Sequence, residues 1–359
     1  AAEASLFGGP VDHQVAVTWN VVQRTISPMA YGMNGFNAFD PQQTADPVYL
    51  ANLLHMKPGI VRLHNMAAVD DSAQSSAGWI NSAAKTWDAP KIVKALKPMT
   101  DVGLNLMINI PHWPDWMDAN GDLKLDSDKF DAFAEFMAEL VRIVNVENNL
   151  NVKYWEVTNE LEYRFELLTK PEQMSQVVDL YNRACKAMKA VDPTILTGGP
   201  ATSRADLKDL AGRFVRGTAA QASPTTLDFF TFHSYGGDGR NTDEDAYTAA
   251  AQWVGGYGAS LSEILASESP ARKIPLWFDE FAVTYDWQSE DPRTNSNKGA
   301  VWDALAITSA LDNGVDWTSS WNEKDGFYGK MDPDNKLRVT AELYYLLNNW
   351  LVGQRVESS

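Results

Sequence analysis

The chain has 359 residues, 45% of them hydrophobic and 21% charged, and its 47 acidic against 30 basic side chains leave a net charge of −17. That balance argues against nucleic acid as a partner, because phosphate binding needs clustered Lys and Arg and no basic stripe is present. No apolar run approaches the roughly 18–20 residues of a membrane span, and the one cysteine, Cys185, leaves no disulfide to form within the chain and reads as a buried thiol.

The opening AAEASLFGGP shows no signal peptide and fits a processed or a truncated end. HQVAVTWNVVQRTIS, from residue 13, is expected to form an extra strand or hairpin. This gives a short N-terminal β extension over 1–25 ahead of a catalytic domain over 26–359. Short apolar runs then predict strands at 29–36, 60–65, 104–110, 152–159, 194–200, 227–234, 274–281 and 315–321. Helix-period segments separate them. DPVYLANLLHM opens with Asp46 as N-cap and Pro47 in the first turn. DKFDAFAEFMAELVRIVN has the three/four spacing of an amphipathic helix, and Thr169 with Glu172 has the spacing of a capping box. Eight strand–helix units in alternation imply parallel strands with right-handed crossovers, and eight closes a (β/α)8 TIM barrel. An open doubly wound sheet would carry a Gly-rich phosphate turn after its first strand, where MAYGMNGFNAFDP has no GxGxxG.

In such barrels chemistry sits at the C-terminal strand ends. The fourth strand ends in Asn159–Glu160 and the seventh in Asp279–Glu280. Two carboxyl groups facing one another across the mouth are what glycoside hydrolysis needs, one protonated to release the leaving oxygen and one ionised to attack the anomeric carbon. Any one Glu is more often a solvated or ion-paired residue. Glu160 and Glu280 each follow an apolar strand, where a charge is costly unless used. Glu156, deeper in the same strand, is expected in a structural ion pair, and Glu162 on the cleft wall. His64, His112 and His233 lie at strand ends and are candidates to bind sugar hydroxyls. Trp113 and Trp116 on a loop, Trp287 after the seventh strand and Trp321 ending the eighth offer flat partners for sugar C–H faces. Trp155, Trp277 and Trp317 are expected in the core.

Neither a metal nor a cofactor is expected. Histidine clusters also occur in metal-dependent barrels, but no His-x-His follows the first strand. DANGDLKLDSD (118–128) begins like a calcium loop, yet its twelfth position is Lys129 and its Gly is fourth. GGDGR (236–240) lacks the Lys–Ser/Thr of a phosphate loop.

WEVTNE and FDEF resemble the acid/base and nucleophile signatures of clan A retaining glycoside hydrolases. ISPMAYGMN, VRLHN, TGGPATS and FHSYG are similar to segments of family 39, which holds β-xylosidases and α-L-iduronidases; family 44 endoglucanases come second. The chain departs from family 39 where Asp279 replaces the usual Thr before the nucleophile, and where Leu161 replaces Pro after the Asn–Glu. The resemblance implies Glu160 as acid/base and Glu280 as nucleophile. It implies Asn159 on the sugar 2-hydroxyl, Tyr235 donating to the nucleophile, Arg62 holding it ionised and Trp321 as floor of the cleaved-sugar subsite. Desolvation and repulsion from Glu280 are expected to raise the Glu160 pKa. The expected partner is a polysaccharide or oligosaccharide, cut more in endo than in exo fashion, by a secreted or periplasmic enzyme. A non-catalytic carbohydrate-binding barrel is the alternative from another class.

Overall fold

The computed structural model describes residues 16–70, 78–219 and 225–358. Its strands are β1 (Val17–Ile26), β2 (Tyr31–Asn34), β3 (Val61–Leu63), β4 (Ile80–Asn81), β5 (Thr86–Trp87), β6 (Leu106–Ile110), β7 (Tyr154–Val157), β8 (Leu196–Thr202), β9 (Phe229–Tyr235), β10 (Leu276–Ala282), β11 (Trp317–Ser320) and β12 (Gly353–Ser358). Eight of them close a barrel in the order β10-β11-β2-β3-β6-β7-β8-β9, all pairs parallel. Each coincides with a predicted strand to within a few residues, so the (β/α)8 reading holds. These strands are covered on both faces, and every residue of β6 and β10 is buried.

The helices form where their ends are capped and one face is apolar. Asp46 accepts from the Val48 N–H at 2.8 Å and opens Pro47–Met56; Asp88 does the same for Ala89–Asp101 through the Lys91 N–H at 3.2 Å. Ile92, Ala95, Leu96 and Met99 then face the barrel at helical spacing. The expected capping box at Thr169 does not form. Its hydroxyl instead donates to the Glu166 carbonyl at 3.3 Å, and a 3₁₀ turn, Pro171–Gln173, leads into Met174–Val191. A capping box does occur at Thr242 and Asp245. Cys185 is fully buried on Met174–Val191, and burial pushes its thiol up to about 12.

The N-terminal segment is a strand, and its partner is the far end of the chain. β1 pairs antiparallel with β12, Thr25 opposite Gln354 and Ile26 opposite Gly353, outside the barrel. Residues 1–15 lie outside the described residues.

The barrel interior is layered. Ile60, Met107, Phe229 and Trp277 fill the lower layer with Tyr154, Leu196 and Trp317 against them; the Trp277 ring centroid lies 5.1 Å from that of Trp317 and 5.4 Å from that of Phe229. Two residues further along the same strands stand Arg62, Asn109, Thr231, Asp279, Ser319 and, after Tyr154, Glu156, all buried. The period of two along a strand gives this change from apolar to polar.

Candidate active site

The site is placed by an irregularity in β10. Phe278 pairs with Phe232 of β9, but Glu280 pairs with the next residue, His233, so Asp279 is one residue too many. Such a bulge breaks alternation and lets two successive side chains face one way. Both reach Arg62, whose Nε lies 3.1 Å from Asp279 and whose Nη1 lies 3.1 Å from Glu280. Across the mouth β7 ends at Val157. Thr158 (φ 71°) and Glu160 (φ 49°) then take left-handed backbone, and the Glu160 N–H donates to the Ala201 carbonyl at 3.0 Å. That turn aims the Glu160 carboxyl back over the barrel. One oxygen of Glu160, one of Glu280 and a ring nitrogen of His233 lie within 4.8 Å of one another.

Arg62 is fully buried and organises the layer beneath. It donates to Glu156 (2.8 Å), Asn34 (2.8 Å), Asn159 (2.7 Å) and Glu280 (3.1 Å). Burial works against the guanidinium, but Glu156, Asp279 and Glu280 outweigh it and hold the charge firmly. Glu156 is thus the ion-paired residue expected: burial pushes its carboxyl up, and Arg62 brings it below its ordinary value. Asp279 has no exposed surface and no exposed neighbour to share its charge with. Burial first, then the charge of Glu156, raises it far above the carboxylate range. The two neighbouring acids are thus pushed apart, Asp279 upward and Glu156 downward, and Arg62 is the cation between them.

Glu280 receives the Tyr235 hydroxyl on one oxygen and Arg62 on the other. The recessed position of Glu160 raises its carboxyl to about 7, with Arg62 pulling the other way. The repulsion expected from Glu280 is not among the causes, because Arg62 compensates that charge. His233 Nδ1 lies 2.7 Å from Glu160, while its Nε2 faces Asp279 (3.5 Å) and Glu280 (3.7 Å). Burial lowers His233 to about 4, so the ring is neutral. With Nε2–H turned to the carboxylates, Nδ1 accepts the Glu160 proton. Although Glu160, His233 and Glu280 have metal-ligand types, Arg62 and Tyr235 already take the Glu280 oxygens. The guanidinium supplies the positive charge that a cation would bring. In the 118–128 loop Asp118 accepts from the Gly121 (2.9 Å) and Leu123 (2.8 Å) amides, so it caps backbone.

A cleft of about 880 Å³ opens over these groups, lined by His64, Glu160, His233, Tyr235, Glu280 and Trp321 among others. Asn159 lies beneath, on Arg62. His64 is buried, its Nδ1 2.6 Å from Asn109, and burial together with Arg62 keeps it neutral. His112 and Trp113 are not on the wall. His112 is turned to the Trp113 and Met66 carbonyls (2.8 and 3.3 Å), and Trp113 is 2% exposed, edge-on to Phe133 and Phe165 in the core. An aromatic in a Pro-flanked loop looked solvent-facing, but the helix after the loop buries it. Glu162 also leaves the cleft wall, buried against the Thr202 hydroxyl. Trp155 and Trp277 are core, and Trp317 packs on the lower layer.

Several wall residues were not anticipated. Phe36, Tyr163, Trp253, Tyr257, Tyr285 and Tyr328 line the cleft. Trp253 and Tyr257 were hidden in a helix pattern whose apolar residues read as core. Asn34 and Asn109 were readable, since an amide inside an apolar strand needs a buried partner.

The sequence profile of Glycosyl hydrolases family 39 matches residues 122–333, over half of the chain and both carboxylates. No curated protein sequence matches. Among solved structures the chain is similar to a monomeric β-xylosidase from Caulobacter crescentus, 18% identical with TM-score 0.71, covering 96% of this chain and 73% of that one. It is similar to a glucosidase from Croceicoccus marinus, 17% identical with TM-score 0.70, covering 96% and 71%. An α-L-arabinofuranosidase from Thermotoga maritima, 13% identical with TM-score 0.65, is covered over 75% of its length by 96% of this chain. At these identities the structures speak for the barrel alone, while the profile match carries the kinship: the chain belongs to glycosyl hydrolase family 39, a family of retaining glycoside hydrolases.

Proposed function

We propose that Glu280 attacks the anomeric carbon of a β-linked glycan while Glu160 gives its proton to the leaving oxygen. The observation that carries this assignment is the approach of the two carboxyls to within 4.8 Å, Glu280 held by two donors and Glu160 raised to about 7 by burial. That spacing fits the roughly 5–5.5 Å of a retaining pair and leaves no room for a water between them. In the first step the Glu280–C1 bond forms, the C1–O bond breaks, and the Glu160 proton goes to the departing oxygen. Esterified Glu280 carries no charge, so the field of Arg62 at Glu160 is less compensated and favours the Glu160 anion. Glu160 then takes a proton from water, whose oxygen attacks C1 and frees Glu280. Asn159, held by Arg62 at 2.7 Å, is offered to the 2-hydroxyl.

Anomeric NMR of the first-formed product tests this reading, with retained configuration expected. Glu280→Gln is expected to lower turnover by at least about 10⁴-fold while leaving substrate binding measurable. Inversion, or unchanged turnover in that variant, overturns the assignment.

The open, aromatic cleft favours endo action on an extended chain. Exo action is the second reading, favoured by the β-xylosidase among the similar structures. Sizing of early products from a long substrate separates them, since monosaccharide alone excludes endo cleavage. A polymeric glycan does not cross a membrane, so endo action goes with a secreted or periplasmic enzyme. No described helix is long and apolar enough to span a bilayer.

A further inference from the structure

The mouth has two unequal arcs between β7 and β10. On the arc through β11, β2, β3 and β6, Trp321 is braced edge-on by Phe36, with ring centroids 5.3 Å apart, and by His64 at 5.5 Å. Buried Glu323 fixes that brace by accepting the Phe36 and Asn37 amides at 2.7 Å each. On the arc through β8 and β9 stand Tyr163, Trp253 and Tyr257, all lining the same cleft. Tyr163 is 60% exposed and Trp253 52% exposed. Tyr163 sits in the turn Leu161–Arg164 directly after Glu160. Trp253 and Tyr257 are four residues apart on the helical segment that follows β9, a spacing that puts both on one face.

We infer that Tyr163, Trp253 and Tyr257 form a leaving-group subsite, which stacks on the flat face of an uncharged sugar or aryl group departing from the anomeric carbon. This deepens the glycosidase reading above and rests on it. The side follows from the chemistry. The acid must touch the glycosidic oxygen, and the leaving group is attached to that oxygen, so it lies on the side of Glu160. The three rings are the broad apolar surfaces there, and sugar C–H faces or aryl rings are what such surfaces take up from water.

The charge of the wall narrows the occupant. Glu160, Asp206, Glu280 and Asp325 line the cleft, and among the described residues no Lys or Arg does. Arg204 stands nearby, but its fork is closed on Asp206 at 2.9 and 2.8 Å. A uronate or sulfated sugar leaving past this wall meets carboxylates without a free cation to receive it, whereas a neutral ring stacks on the aromatic faces and can donate its hydroxyls to those same carboxylates.

Glycosyl fluorides test the subsite, because fluoride leaves without occupying it. The probes are the β-D-xylosyl, β-D-glucosyl, β-D-galactosyl and α-L-arabinofuranosyl fluorides with the matching 4-nitrophenyl glycosides. For the sugar the wild-type enzyme accepts, Trp253→Ala and Tyr257→Ala are expected to raise KM for the nitrophenyl glycoside roughly tenfold, the size of one lost aromatic stack. Turnover of the fluoride should stay within about twofold in the same variants, and Trp253→Phe should recover most of the loss. Equal effects on both substrate classes, or none on either, overturn the subsite. Wild-type enzyme inert toward these probes, toward the β-xylobiosyl and β-cellobiosyl fluorides and nitrophenyl glycosides that serve an endo enzyme in the same comparison, and toward β-linked polymers overturns the glycosidase reading itself, and is thereby told apart from failure of the subsite alone.

Discussion

The lower and upper layers of the barrel interior come from the same strands, two residues apart, yet they obey different physics. Below, Trp277, Trp317, Phe229 and Tyr154 meet edge to face or tilted and carry no charge, their polar contacts limited to the Trp277 N–H on Ser319 and the Tyr154 hydroxyl on Met29. Above, Arg62 is surrounded by Glu156, Asp279 and Glu280, and each member is tolerable only because the others are present. The lower layer is robust and chemically silent. The upper one holds Glu280 by two donors, Tyr235 and Arg62, in a charged layer that is fixed before any substrate arrives. Stability and reactivity are thus assigned to different heights of one cylinder.

Substitutions at each height put that division to work. Arg62→Met should have the largest effect, leaving buried carboxylates unpaired. A stability loss of about 4 kcal/mol in urea unfolding and a fall in kcat/KM of at least about 10³-fold are expected together. Trp277→Ala should cost about 4 kcal/mol through the cavity it leaves, while kcat/KM at a temperature where the variant is folded stays within about threefold. If Trp277→Ala abolishes turnover in a folded protein, the two layers are not separable. Tyr235→Phe removes one donor to Glu280 and should lower kcat about 10²-fold with little change in unfolding.

Proton linkage distinguishes the carboxyls further. In the proposed mechanism Glu160 donates its proton, so kcat/KM should fall as pH rises through about 7, and Glu160→Gln should abolish that limb along with most of the activity. Glu162 lies in neither layer, and burial likewise raises it to about 7. A carboxyl with a raised folded pKa keeps its proton when the unfolded chain has lost it, so wild-type stability should decline between about pH 4.5 and 7. Glu162→Gln, the smallest effect, should flatten that decline and gain about 2 kcal/mol at pH 8, read from urea midpoints at pH 5 and 8.

Much of this was legible beforehand. The eight strands stood out because both faces are buried and each reads as an apolar run between helix-period segments. Glu160 and Glu280 stood out because each follows such a run. Other features depend on contacts made far along the chain. Trp113 and Trp253 are both tryptophans flanked by mixed sequence. Only the packing of Phe133 and Phe165 around the first, and the turn of the helix after β9 under the second, decides that one is core and the other wall. The partnering of β1 with β12 joins segments more than three hundred residues apart, and neither has a local signal for the other. The link from His233 to Glu160 needs the relative height of two strands, which residue spacing does not give.

The surplus residue in β10 lets a single strand offer two successive acids to one guanidinium. Excising Asp279 would give tidier pairing with β9 and remove a buried acid, and by any measure of sheet quality the barrel would improve. Glu280 would still face inward opposite His233, because it would follow outward-facing Phe278 directly, but Arg62 would lose one of its three acidic neighbours. A strand without the extra residue would therefore keep the carboxylate at its end and lose a member of the charged layer beneath it.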